Sequence, residues 1–180
     1  FSLMIHVKII DAAHKQDINL PNDPFSLWGR ILPSYQKGQW SYEVVKFPEE
    51  SISSMCFPDE SYDYDTMCAD HTTFIGAYED QTCIGLAILQ PGFFSYLYLY
   101  DLKVSKDYRG RHIGQMLLQK ASEVALSQGY RGIYCMCQDN NPGACLFYLN
   151  NGFVIGGLDT LVYKGTSQEG KSDLILYKDY

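Results

Sequence analysis

No stretch of this 180-residue chain is apolar for long enough to cross a bilayer as a helix: the longest such run, residues 93–100, is broken by Ser95 and falls well short of the roughly 20 residues required. Basic residues are scarce. Lys and Arg number 14 against 21 Asp and Glu, a formal net charge of −7. The chain therefore has no basic footprint for a phosphate backbone, which argues against nucleic acid as a partner and for cations instead. Paired C-x-x-C spacing is missing among the six cysteines at 56, 68, 83, 135, 137 and 145, so the usual tetrahedral zinc site is not expected, nor any other metal. Cys135 and Cys137 share one face of a strand-like run and read as buried, reduced thiols, which suits a cytoplasmic setting.

Internal repeats and low-complexity segments are also missing. The opening Phe1-Ser2-Leu3 lacks the basic region, apolar stretch and cleavage site of a signal peptide, and is expected to be an added leader ahead of a native Met4. A single domain over residues 4–180 follows. At this size folding buries roughly 70% of the surface of the unfolded chain, enough for a core without staples.

What is present sorts into segments. Residues 4–10 read as a strand, 11–20 as a short helix, 25–35 as a second helical piece, and 39–47 as another strand. Residues 48–70 read as a long loop or irregular helix. Two β-rich runs, 72–78 and 82–90, are separated by Glu79-Asp80-Gln81 as in a hairpin, and 96–104 is a third strand. Ile113, Leu117, Leu118, Ala121, Val124 and Ala125 recur at helical spacing and predict a helix over 112–128, closed by Gly129. A buried strand over 133–138 after this helix predicts a β-α-β crossover parallel to 96–104. Asn141 caps a further helix with Pro142 in its first turn, Gly152 ends it, and 153–158 and 173–177 are closing strands. The fold class expected is α/β or α+β with a mixed sheet.

The chemistry gathers where strand 96–104 gives way to the helix, in Arg109-Gly110-Arg111-His112-Ile113-Gly114. Unpaired N–H groups and the positive end of the helix dipole converge there, so the turn suits a phosphate or pyrophosphate, with Arg109 and Arg111 adding charge. It resembles motif A of the GCN5-related N-acetyltransferases, R/Q-x-x-G-x-G/A, with His112 where the family has its first glycine. The segment Asn140-Asn141-Pro142-Gly143-Ala144-Cys145-Leu146-Phe147-Tyr148, ending in Gly152-Phe153, is similar to the N-x-x-A-x-x-x-Y-x-x-x-G-F signature of the same family. Together with Gly156-Gly157-Leu158-Asp159 and Tyr163-Lys164, the tail looks most like the streptothricin acetyltransferases.

That resemblance covers about residues 71–180 and implies a mostly antiparallel sheet with splayed parallel strands and flanking helices. It implies acetyl-CoA as cosubstrate, bound by main-chain groups of Leu102 and Val104, by the turn from Arg109 through Gly110, Arg111, His112 and Ile113 to Gly114, and by Asn141 and Tyr148. Tyr148 would be the general acid. His112 serves in place of glycine if its φ is negative. Asp101 is a candidate base, although strand alternation sets it on the opposite face from Tyr98, Tyr100, Leu102 and Val104. The acidic, tyrosine-bearing run from Asp59 to Asp65, with Asp63, Tyr64 and Asp65, joins Tyr100 and Asp101 as a candidate wall for a small polycationic amine. The acceptor implied is streptothricin, acetylated on its β-lysine amine to give antibiotic resistance. A protein or peptide acetyltransferase and a CoA-binding domain without turnover remain as alternatives. The family often pairs through late strands such as 173–177, leaving a homodimer open.

Overall fold

The computed structural model describes residues 4–180; Phe1, Ser2 and Leu3, expected to be an added leader, lie outside the described residues. In chain order the strands are β1 (Ile5–Ile9), β2 (Phe25–Leu27), β3 (Gly29–Gln36), β4 (Gln39–Lys46), β5 (Ser53–Met55), β6 (Thr73–Glu79), β7 (Thr82–Gln90), β8 (Tyr96–Val104), β9 (Gly132–Gln138), β10 (Val154–Asp159) and β11 (Asp173–Asp179). The α-helices are α1 (Tyr64–Ala69), α2 (Ile113–Ser127) and α3 (Pro142–Asn150), with a longer 3-10 helix at Ala12–Asn19. By its contacts the chain divides into two compact units. One holds residues 4–23, Phe57–Ile133 and Asp179–Tyr180, and the other Pro24–Cys56 and Tyr134–Lys178.

In the first unit β1, β6, β7 and β8 lie side by side, each antiparallel to the next. Most residues of β6 and β7, all but those at the strand ends, are buried, because both faces of this sheet are covered. Ile10, Ile18, Phe74, Leu86 and Ile88 form the core on one face, with Leu20, Tyr62, Tyr64, Met67 and Cys68 packed against it. Helix α2 covers the other face through Ile113, Leu117, Leu118, Ala121 and Ala125. Gly85 lets it approach: a Cβ there would stand 3.2 Å from Leu117 Cδ1.

The second unit carries β9, β11 and β10 side by side, the hairpin β3–β4, the short pair β2–β5, and α3. Residues 25–35, expected to be helical, are strands instead. The cause lies two residues further on: Lys37 (φ 52°) and Gly38 (φ 76°) both take positive φ between the paired Gln36 and Gln39. Such a two-residue turn matches the strand twist and commits the flanking residues to a hairpin. Expectations for the other strands, for α2, and for α3 with its Asn141 cap hold, and the class is the mixed α/β one expected, with mostly antiparallel strands. Cys135 and Cys137 are buried as expected. Burial pushes the Cys135 thiol up, and a hydrogen bond with Cys145 together with burial does the same for Cys137, so both stay as unreactive thiols.

Asp139 ties the second unit together. Its carboxylate accepts from Arg30 Nε at 2.9 Å, Arg30 Nη2 at 2.8 Å and the Ser172 N–H at 3.2 Å, and its main chain bonds Ile31 and Ser172. The Asp139 side chain is 3% exposed and that of Arg30 42%. Removing the guanidinium leaves a buried carboxylate with one donor. Arg30→Ala is therefore expected to cost about 3 kcal/mol in urea denaturation, toward the lower end for breaking a buried ion pair; a loss below about 1 kcal/mol would rank the pair with exposed ones.

Candidate active site

Strand β8 does not alternate evenly. Its register against β7 pairs Leu99 with Leu89 and Asp101 with Ile88, so Tyr100 is an extra residue in a β-bulge. Directly opposed residues share a face, which puts Asp101 with Ile88 and Lys103 with Leu86, on the face where these two build the core cluster. Leu102 and Val104 oppose Ala87 and Gly85, on the face under α2. The expectation that Asp101 stands apart from Tyr98 and Tyr100 is thus corrected: the bulge shifts the parity by one. Asp101 and Lys103 join Tyr98 and Tyr100, whereas Leu102 and Val104 turn away.

The main chain of β8 follows the same logic. Ser105 donates its N–H to Ile84 O at 2.8 Å. Alternation then aims the N–H and C=O groups of Lys103 toward β7, and those of Leu102 and Val104 toward the other edge of the strand. These are the groups that the sequence assigned to a cosubstrate.

The N-terminal segment supplies what the bulge faces. Asn19 Nδ2 donates to Tyr62 O at 3.2 Å and Asn19 Oδ1 accepts from the Tyr62 N–H at 2.7 Å. Asn22 donates to Pro58 O and Glu60 Oε2, and Asp59 accepts from its N–H. Two asparagines thereby clamp residues 58–62 in place. Tyr62 meets Tyr100 edge-on at 6.1 Å, and Tyr100 meets Tyr98 likewise at 6.1 Å. Glu60 Oε2 lies 3.0 Å from Lys103 Nζ, which is 3.6 Å from Asp101 Oδ2. Burial raises the Asp101 carboxyl above its ordinary value; Lys103 opposes the rise and Glu60 adds to it. Burial also keeps the Tyr62 hydroxyl protonated, helped by its hydrogen bond with Tyr100.

Of the acidic run, then, Glu60 and Tyr62 reach β8. Asp63 is the N-cap of α1, accepting from the Thr66 N–H at 3.1 Å; Tyr64 stacks on Phe74 and donates to Ile10 O; Asp65 is exposed, 4.0 Å from Lys15. Sequence reasoning missed Glu60, Tyr62, Lys103 and Asn22. The available signal was Glu60 and Tyr62 within the acidic run; nothing local pointed to Asn22.

The turn after β8 leads directly into α2. A short 3-10 helix (Lys106–Tyr108) precedes Arg109; Gly110 takes φ 76° and His112 φ 62°, and α2 begins at Ile113. The expected negative φ at His112 is not found: the histidine adopts the left-handed conformation of the glycine it replaces, which His tolerates better than most residues. Its side chain makes no capping bond. The first N–H groups of this 15-residue helix, Ile113 and Gly114 among them, have no intrahelical partner, and a Cβ on Gly110 would meet nothing within 4 Å. Arg111 lies over the Tyr108 ring at 5.1 Å, and the Tyr108 hydroxyl donates to Glu79. Open backbone, helix dipole and arginines fit a phosphate group.

In the second unit Asn141 Oδ1 caps α3 by accepting from the Ala144 N–H at 3.3 Å, which leaves its amide N–H groups to donate. Among the described residues, buried Gln138 Oε1 and Asn140 Oδ1 find no hydrogen-bond partner. Tyr148 is buried on α3, its ring edge-on to Phe147 at 5.3 Å and Phe153 at 5.1 Å. Among the described residues no group of three or more His, Cys, Asp or Glu could hold a metal ion, and no helix is long and apolar enough to cross a membrane.

A strand-to-helix anion turn next to an acid-and-tyrosine face is the equipment of an acyl-CoA-dependent transferase acting on an amine. Residues 40–153 match the model of the Acetyltransferase (GNAT) family, and the chain belongs to that family. It is 32% identical over 148 residues to streptothricin acetyltransferase A of Bacillus subtilis (strain 168), covering 82% of this chain and 84% of that protein, and 28% identical over 152 residues to the streptothricin acetyltransferase of Escherichia coli, covering 84% and 74%. A Bacillus anthracis str. Ames protein assigned as a streptothricin acetyltransferase, solved in complex with acetyl coenzyme A, superposes with a TM-score of 0.87 at 25% identity over 98% of this chain and all of that one. The chain is an acetyl-CoA-dependent N-acetyltransferase of a small amine.

The left-handed His112 tests the turn. Glycine there relieves about 1 kcal/mol of backbone strain and costs a similar amount in chain entropy, so His112→Gly should leave stability within about 1 kcal/mol and the KM for acetyl-CoA within about twofold. Steady-state kinetics check this; a several-fold rise in that KM would mean the imidazole itself touches the cosubstrate.

Proposed function

We propose that the protein acetylates streptothricin on its β-lysine amine and so confers resistance to that antibiotic. One observation carries this reading: the bulge at Tyr100 turns Asp101, Tyr98 and Tyr100 to one face, opposite Glu60 and Tyr62, where a cationic arm meets carboxylates and aromatic rings. The streptothricin acetyltransferases among its relatives support the choice of acceptor.

In this reading the acceptor arrives as an ammonium and must lose a proton. Asp101 accepts it, directly or through a water, and its raised carboxyl is the better matched to that task. Main-chain groups of Leu102 and Val104 hold the pantetheine arm, and a backbone N–H of β8 polarises the thioester carbonyl. The turn from Arg109 to Gly114 takes the pyrophosphate, and Asn141 holds the arm further along. Tyr148 protonates the departing thiolate. Residues 4–180 act as one catalytic domain in the cytoplasm, where acetyl-CoA is at hand, without nucleic acid as a partner; a homodimer through the region of 173–177 belongs to the same reading.

Thiol release with acetyl-CoA and a panel of acceptors decides the substrate. The kcat/KM should be highest with streptothricin, lower with free lysine and lowest with a lysine-containing peptide. A preference for the peptide would replace this reading with a protein acetyltransferase, and no release with any acceptor would leave a CoA-binding domain. Tyr148→Phe is expected to lower kcat on the order of a hundredfold with little change in the KM for acetyl-CoA, since general acids contribute on that scale. Unchanged kcat would remove Tyr148 from the acid role.

A further inference from the structure

Lys103 carries a charge opposite to that of its surroundings. Its side chain is 12% exposed, and its ammonium lies 3.0 Å from Glu60 Oε2, 3.1 Å from Asn22 Oδ1 and 3.6 Å from Asp101 Oδ2. Glu60 and Asn22 accept hydrogen bonds from two of its three N–H groups, and Asp101 stands at ion-pair distance from the ammonium. Two of the three lie off β8 and hold each other: Asn22, from the N-terminal segment, binds Glu60 and Pro58 O of the segment it clamps. The ammonium is therefore fixed from the far side, and Asp101 is the group it can orient.

The groups facing Asp101 are Lys103 and Tyr100 from its own strand and Glu60 and Tyr62 from the segment before α1. Two carboxylates and one ammonium leave the cluster one net negative charge. Without Lys103 the carboxylates of Glu60 and Asp101 would face each other in a half-buried site, and one would hold its proton. We propose that Lys103 is a positioning residue for acetyl transfer: held by Glu60 and Asn22, its ammonium orients the Asp101 carboxylate and cancels one carboxylate charge, leaving a single negative charge for a single acceptor ammonium. The assignment rests on Asp101 being the base.

The experiment is the pH profile of kcat/KM for streptothricin, or for whichever amine the acceptor panel favours, in wild type, Asp101→Asn, Lys103→Met, Lys103→Arg and Glu60→Gln. Asp101→Asn should abolish the acidic limb. Lys103→Met should move that limb upward by about 1 to 3 pH units, the range an adjacent opposite charge commands. Lys103→Arg, which keeps the charge, should hold it within about half a unit. Glu60→Gln should move it downward, because a neighbouring negative charge is lost while Asn22 and Asp101 still hold Lys103. The KM for acetyl-CoA should stay put throughout. A limb that survives Asp101→Asn overturns the base reading and the Lys103 assignment with it. A limb lost in Asp101→Asn but unmoved in Lys103→Met overturns the Lys103 assignment alone. If Lys103→Met does not fold, Lys103→Gln, which removes the charge and keeps a polar side chain, decides: an upward shift supports the assignment, and an unmoved or downward limb overturns it.

Discussion

An extra residue in β8 decides which of its side chains enter the layer under α2 and which meet Glu60 and Tyr62. From Asp101 onward, the bulge at Tyr100 exchanges the faces of the strand. Leu102 and Val104 thereby join the apolar layer under α2, and Asp101 and Lys103 escape it. Without the bulge the two charges would sit against Ile113 and Leu117, at a desolvation cost of several kcal/mol each, while two apolar residues faced the acids. The core and the chemistry therefore depend on the same irregularity.

The bulge alone would leave Asp101 half-buried and poorly partnered. The N-terminal segment completes the arrangement, because Asn19 and Asn22 bind residues 58–62 through both side-chain and main-chain bonds. Glu60 and Tyr62 then meet Lys103 and Tyr100 across the face. Residues far apart in sequence share one small electrostatic balance, in which burial and Glu60 favour the protonated Asp101 and Lys103 favours the carboxylate. Such opposition is what allows a carboxylate to be tuned rather than simply charged.

At the other end of β8 the requirement is conformational. Gly110 and His112 both adopt positive φ before α2 starts, so the chain turns sharply and the helix's first N–H groups stay open. A histidine does this at some cost in strain, which the 15-residue helix and its packed apolar face can bear. The acid-rich composition is thus unevenly divided: arginines gather at the turn before α2, and carboxylates with tyrosines gather on the face of β8 that meets Glu60 and Tyr62.

The sequence by itself determined the strands from 72 onward, both longer helices, the anion turn and the Asn141 to Phe153 segment, because these depend on local periodicity, caps and glycines that act within a few residues. It misjudged residues 25–35, where the turn at Lys37-Gly38 outweighed the local pattern, and it put Asp101 on the wrong face, because regular alternation cannot reveal an extra residue that exists only relative to a partner strand. Glu60, Tyr62, Lys103 and Asn22 were illegible as a group for the same reason. Their meeting is made by long-range hydrogen bonds between segments about 40 to 80 residues apart, and only the folded chain brings such residues to one face.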